Sequence, residues 1–335
     1  MSNISKRLDF LDFLRFIAAF TVIIQHVFES TYSSFSHFTT NYFQFGVFGV
    51  SLFFLISGFV VPVSLERHNS LQSFWKSRIF RLFPLYILSI ILHIVLVKFD
   101  FLEGIMPSTM SILTNLTMLA KFMGQPLIEL IYWTLNVEMA FYIITSFFYL
   151  IKVLNKTLLL AFVSLIGVIL LNFIPVVLFD FYISGWSLVL YIAMMFTGTV
   201  YFRFMRGEIA LQKLILTIIT AISVVLLVSY TNLQGRTDIL LGDRSFTSVV
   251  TAIVSAYTIF SLLYIFKSYT YPKMLLFGGR ISYSLYLMQV AIIPVVFYYL
   301  DKGIFSCIIC FIAITTTSIV TYYFVEKPFI KIGKK

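Results

Sequence analysis

Ten stretches of about twenty mostly apolar residues follow one another along this chain, at roughly 9–28, 46–65, 79–97, 132–151, 157–178, 186–204, 211–229, 246–266, 281–300 and 304–325. A run of about that length is what an α-helix needs to cross the hydrocarbon core of a bilayer, where each backbone polar group must be satisfied within its own segment. Ten of them predict an all-α, polytopic membrane helical bundle. Only 11% of the residues are charged and 60% are hydrophobic, whereas about 25% are charged in ordinary soluble domains. A soluble globular enzyme, a disordered chain and a disulfide scaffold are excluded on that ground. Residues 1–335 read as one integral membrane domain without an extra periplasmic domain. No internal repeat suggests a two-halved transporter.

The basic residues predict orientation. With the N-terminus in the cytoplasm, the outer side keeps only Lys98, Lys121, Arg236, Arg244 and Lys302 of the 24 Lys and Arg. All the others fall on the cytoplasmic side, the arrangement that membrane insertion favours. Both termini are then cytoplasmic, and the net charge of +10 needs no nucleic-acid partner. The first span follows Lys6 and Arg7, contains Arg15 and lacks an A-x-A site after it, so it reads as an uncleaved helix. Residues 111–124, SILTNLTMLAKFMG, are expected to lie amphipathically at the membrane interface. The closing KPFIKIGKK is expected to be a basic tail at the inner leaflet. Cys307 and Cys310 have C-x-x-C spacing, but no second Cys or His pair completes a metal or redox site, and both read as small apolar helix residues.

Ionisable groups within spans are expensive and mark candidate sites. The first span carries Asp12, Arg15 and His26 on one face. Asp12 and Arg15, three residues apart, can pair. His26 lies three turns beyond Arg15, about 16 Å along the axis, and imidazole is a natural general base near neutral pH. The alternative is an Asp–Arg anchor and a histidine bonding across helices. In WTLNVEMAFY, Trp133 suits the outer interface, and Glu138 two turns deeper either orients His26 or bonds structurally to a neighbouring helix. In FWKSRIFRLFPLY, Lys76, Arg78 and Arg81 either hold the phosphates of a cytoplasmic ligand or follow the positive-inside rule alone. In RISYSLYLMQV, Ser282, Tyr286 and Gln289 share a face that either lines a path for a hydroxyl-rich substrate or bonds between helices. His93 is a weaker candidate, and His37 and His68 fall in loops. No P-loop, G-x-G-x-x-G, H-E-x-x-H, G-x-S-x-G or metal-ligand spacing is present.

These segments resemble, in order, the motifs of the acyltransferase-3 family of integral membrane proteins. LDFLRFIAAFTVIIQH is similar to its first helix, with Arg, ten residues, then His. GVSLFFLISGF carries the Ser57-Gly58-Phe59 signature, SRIFRLFPLY the basic start of helix 3, and WTLNVEMAFY the Trp-Ser-Leu-x-x-Glu element with Thr134 in place of Ser. ISYSLYLMQ and VEKP resemble the last two elements. The resemblance implies about ten spans and transfer of an acyl group, usually acetyl, from cytoplasmic acetyl-CoA to a hydroxyl of a cell-envelope sugar such as O-antigen, capsule or exopolysaccharide, free or lipid-linked. It implies residence in a bacterial inner membrane, activity needing Arg15 and His26, and recurrent roles for Arg78, Arg81, Glu138 and Trp133. The family's helix 9 motif commonly ends in His, where this chain has Gln289, and Gln cannot shuttle a proton.

The expected reaction places CoA phosphates on Arg78 and Arg81, with Lys76 and Arg15 beside them, and no metal. His26 removes the acceptor proton, Arg15 and Glu138 complete the catalytic set, and Trp133, Ser282, Tyr286 and Gln289 bind the acceptor. An acyl-His26 intermediate is a variant of this scheme. A sugar carrier without CoA chemistry, or an inactive relative, would also keep buried polar residues.

Overall fold

The computed structural model describes residues 8–68, 70–102, 104–182, 185, 187–233 and 244–334, apart from the side chain of His68. Lys6, Arg7, Arg236 and Lys335, which entered the orientation argument, lie outside the described residues. Among the described residues ten helical spans are long and apolar enough to cross a membrane, and there are no strands. They are α1 (Asp9–Glu29), α2 (Phe45–Arg67), α3 (Leu71–Lys98), α4 (Leu130–Leu150), α5 (Thr157–Phe179), α6 (Ser187–Met205), α7 (Leu211–Asn232), α8 (Phe246–Ile265), α9 (Ser282–Tyr299) and α10 (Ile304–Gly333). This is the architecture of a multi-pass membrane protein, with each span where an apolar run predicts it.

Helix α2 is the hub. It packs against α1, α3, α4, α6 and α8. Its most apolar window is 72% buried, as is that of α6, against 17% for α5. That contrast puts α2 and α6 inside the bundle and leaves most of α5 facing outward. In lipid, helices associate by close packing rather than by expelling water, so small residues belong where axes cross. A Cβ on Gly58 would lie 1.8 Å from the Met195 carbonyl oxygen, and one on Gly198 would lie 2.2 Å from that of Leu55. The α2–α6 crossing therefore requires both glycines. Pro62 in the same helix has no N–H to give the Gly58 carbonyl four residues back. The Thr199 hydroxyl of α6 donates to that carbonyl instead, at 2.9 Å. One crossing thus explains a glycine pair, a proline and a threonine.

Short helices fasten the bundle. Ser33–Asn41, between α1 and α2, is tied to the start of α8, where the Ser245 N–H donates to the Thr40 carbonyl at 2.9 Å. Below it the Gln25 amide donates to Gln44 Oε1 at 2.6 Å. Lys273–Arg280 crosses α1 so closely that a Cβ on Gly279 would meet the Asp12 carbonyl oxygen at 1.8 Å. At the far end of α2, Glu66 pairs with Arg203 and Arg206 of the α6 terminus, and Glu208 pairs with both arginines. This network is satisfied within itself and reads as structural.

Three expectations change. Residues 111–124 are not one amphipathic surface helix. Only Thr109–Asn115 is helical, and Ser111, Thr114 and Asn115 turn inward. The Asn115 side chain donates to the Pro126 carbonyl and accepts from the Ile128 N–H, which folds the loop onto the protein. The C-terminal basic segment is no free tail. After a π-helical turn at Tyr322–Glu326, Lys327–Gly333 continues as helix and packs on α3, with Phe329 stacked 6.4 Å from Phe80. Lastly, α3 starts eight residues before the apolar run, at Leu71, with the Ser70 hydroxyl accepting from the Ser73 N–H. Lys76, Arg78 and Arg81 are therefore helical residues, with Arg78 and Arg81 on one face and Lys76 on another.

Candidate active site

Five helices line a cavity of about 90 Å³. The polar part of the lining comprises Arg15 from α1, Ser57 from α2, Arg78 and Arg81 from α3, Thr134 and Glu138 from α4, and Ser282, Tyr283 and Tyr286 at the start of α9. Phe53, Phe54, Leu82 and Leu135 supply apolar wall between them. Three guanidinium groups and one carboxylate thus face a common space inside a membrane protein, where an unpaired charge is costly.

Each charged group is held differently. Arg15 donates to Asp12 Oδ1 at 2.8 Å, the pairing that their spacing predicts. Arg78 is 7% exposed and its Nε–H is buried without a hydrogen-bond partner. Its guanidinium carbon lies 5.3 Å from the ring centres of both Phe74 and Tyr142. The rings favour a cation there while leaving its hydrogen-bonding edge unused. Neither Arg78 nor Arg81 pairs with a carboxylate among the described residues. Glu138 accepts from the Ser57 hydroxyl at 3.1 Å and from the Tyr142 hydroxyl at 2.5 Å, both through Oε1. Tyr142 therefore braces Glu138 with its hydroxyl and Arg78 with its ring. Ser57 and Tyr142 were not among the sequence-based candidates. The available signals were the Ser57-Gly58-Phe59 signature and the one-turn spacing of Tyr142 from Glu138.

The cavity lining stops at α9. The Thr134 and Tyr286 hydroxyls lie 2.9 Å apart, and each is 3.0 Å from the Ile131 carbonyl. Phe53 meets the Tyr286 ring edge-on at 5.9 Å. One turn further along α9, fully buried Gln289 lies outside the lining, as does His26. The two touch each other: His26 Nδ1 is 3.1 Å from Gln289 Oε1. Gln289 Nε2 donates to the Tyr286 carbonyl at 2.8 Å. His26 itself is only part-buried, and Arg244 lies within electrostatic range of it.

The structure thus brings Arg15, Arg78, Arg81, Glu138, Ser282 and Tyr286 together, with Gln289 and His26 in a second layer behind Tyr286. It departs from the expected set in three places. Glu138 does not orient His26, because its bonds go to Ser57 and Tyr142 and the histidine's partner is Gln289. Lys76 is exposed and away from the lining, because it points off the opposite side of α3 from Arg78. Trp133 is outside the lining and packs 5.1 Å from Tyr191 and 5.9 Å from Phe54. The described residues hold no group of three or more His, Cys, Asp or Glu placed for a metal.

A multi-pass helical bundle with an arginine-lined internal cavity and a nearby histidine is the class this geometry defines. The family model described as "Acyltransferase domain", acyltransferase 3, matches residues 8–324, and the chain belongs to that family. A protein of Staphylococcus aureus (strain COL) named "Putative O-acetyltransferase" is 27% identical over 97% of this chain. The chain spans 58% of that relative's length. The Acyltransferase MdmB of Streptomyces mycarofaciens is 27% identical over 43% of this chain and 39% of its own length. No solved structure matches.

Proposed function

We propose that this chain transfers an acyl group, most simply acetyl, from cytoplasmic acyl-CoA to a hydroxyl of a cell-envelope sugar, from within a bacterial cytoplasmic membrane and with both termini inside. The observation that carries this reading is Arg78: a buried guanidinium with an unused donor edge, beside Arg81 in an internal cavity whose α9 wall, at Tyr286, is one turn from Gln289, the partner of His26. Arginine forks match phosphate oxygens, and a buried donor without a partner costs about 1–3 kcal/mol until one arrives. A donor carrying several phosphates on a long flexible arm meets both conditions. Its phosphates would lie at the mouth on Arg78, Arg81 and Arg15, with the thioester reaching toward Tyr286. Family membership and the acetyltransferase names of the relatives point to the same chemistry.

In the proposed reaction His26 accepts the proton of the sugar hydroxyl as its oxygen attacks the thioester carbonyl. The C–S bond then breaks and the proton passes to the CoA sulfur, so that ester and free thiol are formed with no other reactant. The Ser282 hydroxyl, in the same cavity lining, is the group proposed to stabilise charge on the carbonyl oxygen. Glu138, held by Ser57 and Tyr142, counterbalances the arginines. The test is acetyl-CoA binding to the purified protein. The proposal requires saturable binding that Arg78→Ala and Arg81→Ala each weaken. A wild-type chain that does not bind acetyl-CoA at all would instead support a sugar carrier.

A further inference from the structure

We infer that Gln289 is a positioning residue that fixes the tautomer of His26, keeping the proton on Nδ1 and leaving Nε2 as the bare, basic nitrogen. The catalytic meaning rests on the acyl-transfer reading above; the tautomer itself does not.

The argument begins with the Gln289 amide. An amide has one acceptor oxygen and one NH₂ donor group. Gln289 uses its NH₂ on the Tyr286 carbonyl at 2.8 Å. The oxygen is thereby turned toward His26, 3.1 Å from Nδ1. An amide oxygen only accepts, so the neutral imidazole must donate from Nδ1, and its other nitrogen then carries the lone pair. Reversing the amide would set NH₂ against Nδ1 but would also aim the amide oxygen at the Tyr286 carbonyl, two acceptors in contact. Gln289 is fully buried, which removes water as a substitute partner. Its own anchor is fixed too, since Tyr286 is bound through its hydroxyl to the start of α4. The order of support runs from Thr134 and Ile131 of α4, through Tyr286 and Gln289 of α9, to His26 of α1.

This gives a physical answer to how a glutamine can serve beside a proposed base although it carries no proton of its own to move. Deprotonating a hydroxyl needs an imidazole nitrogen with a free lone pair facing the acceptor. A ring able to exchange tautomers would present N–H there part of the time. In the proposed reaction the acceptor proton goes to Nε2 and leaves from Nε2 to the departing thiolate, while Nδ1 stays bonded to Gln289 throughout. A buried carboxylate as partner would orient the ring in the same way at the cost of another charge in the membrane. The neutral amide avoids that charge.

The test is the ¹⁵N NMR spectrum of the full-length protein in lipid nanodiscs, labelled at histidine, with the His26 signals assigned by their loss in His26→Asn. Wild type should show a protonated Nδ1 and an unprotonated Nε2 for neutral His26. In Gln289→Leu, which keeps the bulk and removes the acceptor, the proton should redistribute toward Nε2. Gln289→Glu, which restores an acceptor oxygen, should keep Nδ1 protonated. Wild type with the proton on Nε2, or an unchanged tautomer in Gln289→Leu, overturns the inference, and the wild-type spectrum decides even if a variant does not fold. If the tautomer behaves as stated while no ester is formed in cells, the acyl-transfer reading fails and the tautomer lock stands.

Discussion

The Tyr286 hydroxyl lies 2.9 Å from the Thr134 hydroxyl, and both residues line the arginine-lined cavity. This contact binds α9 to the start of α4 and sets the height of Gln289, hence that of His26's partner. Removing it should act on the proposed chemistry more than on donor binding, because the arginines lie elsewhere in the cavity. Tyr286→Phe is expected to lower acyl transfer roughly 10-fold, within the roughly 100-fold that a 1 Å misplacement can cost. Acetyl-CoA affinity should stay nearly unchanged. Parallel binding and turnover measurements separate the two effects.

The three basic residues of α3 should not behave alike. Arg78 and Arg81 line the cavity, whereas Lys76 is exposed outside it. Hydrogen bonds to charged groups contribute about 1.5–3 kcal/mol. Arg78→Ala and Arg81→Ala should therefore each weaken acetyl-CoA binding by roughly 10-fold or more, and Lys76→Ala should leave it within about 2-fold. Titration calorimetry on the three purified variants checks this, and equal losses in all three would point to bulk charge instead.

Tyr142 offers a finer test because it serves two charges at once. Tyr142→Phe removes the hydroxyl bond to Glu138 but keeps a ring under Arg78. A modest loss is expected, about the 0.5–1.5 kcal/mol of one net hydrogen bond. Tyr142→Ala should add the loss of the cation–ring contact and weaken donor binding as well. Comparing thermal stability and acetyl-CoA affinity in both variants distinguishes the two contributions.

The α2–α6 crossing predicts a stability effect far from the chemistry. A methyl at Gly58 meets the Met195 backbone, which has no rotamer by which to yield. Gly58→Ala should cost about 1–3 kcal/mol or more through overpacking, seen as a lower melting temperature in detergent. Gly167→Ala is the control, since a Cβ there meets nothing within 4 Å.

All ten spans were legible in the sequence, because apolar length is a local property. So was the Asp12–Arg15 pair, set by one helix's own periodicity. What was not legible is lateral. Gln289 meets His26 across 263 residues, and Ser57 meets Glu138 across 81. Such neighbours depend on which helices adjoin and on how each is rotated, which periodicity within a span does not determine. Lys76 and Trp133 were assigned with their motif neighbours, yet a helix turns about 100° per residue and carried them to other faces. The closing basic segment looked like a tail because its charges masked Phe329 and Gly333, the residues that seat it on α3.

The central claim is that this chain esterifies an envelope sugar with His26 as the base. The most direct measurement is the content of ester-linked acyl groups on envelope glycans, by NMR and mass spectrometry. It compares cells with the wild-type chain, cells without it, and cells carrying His26→Ala at matched expression. The account predicts an ester present only with the wild-type chain, and a loss of at least 100-fold in His26→Ala, within the range expected for removing a general base. Ester content that is the same in all three, or fully retained in His26→Ala, would contradict it.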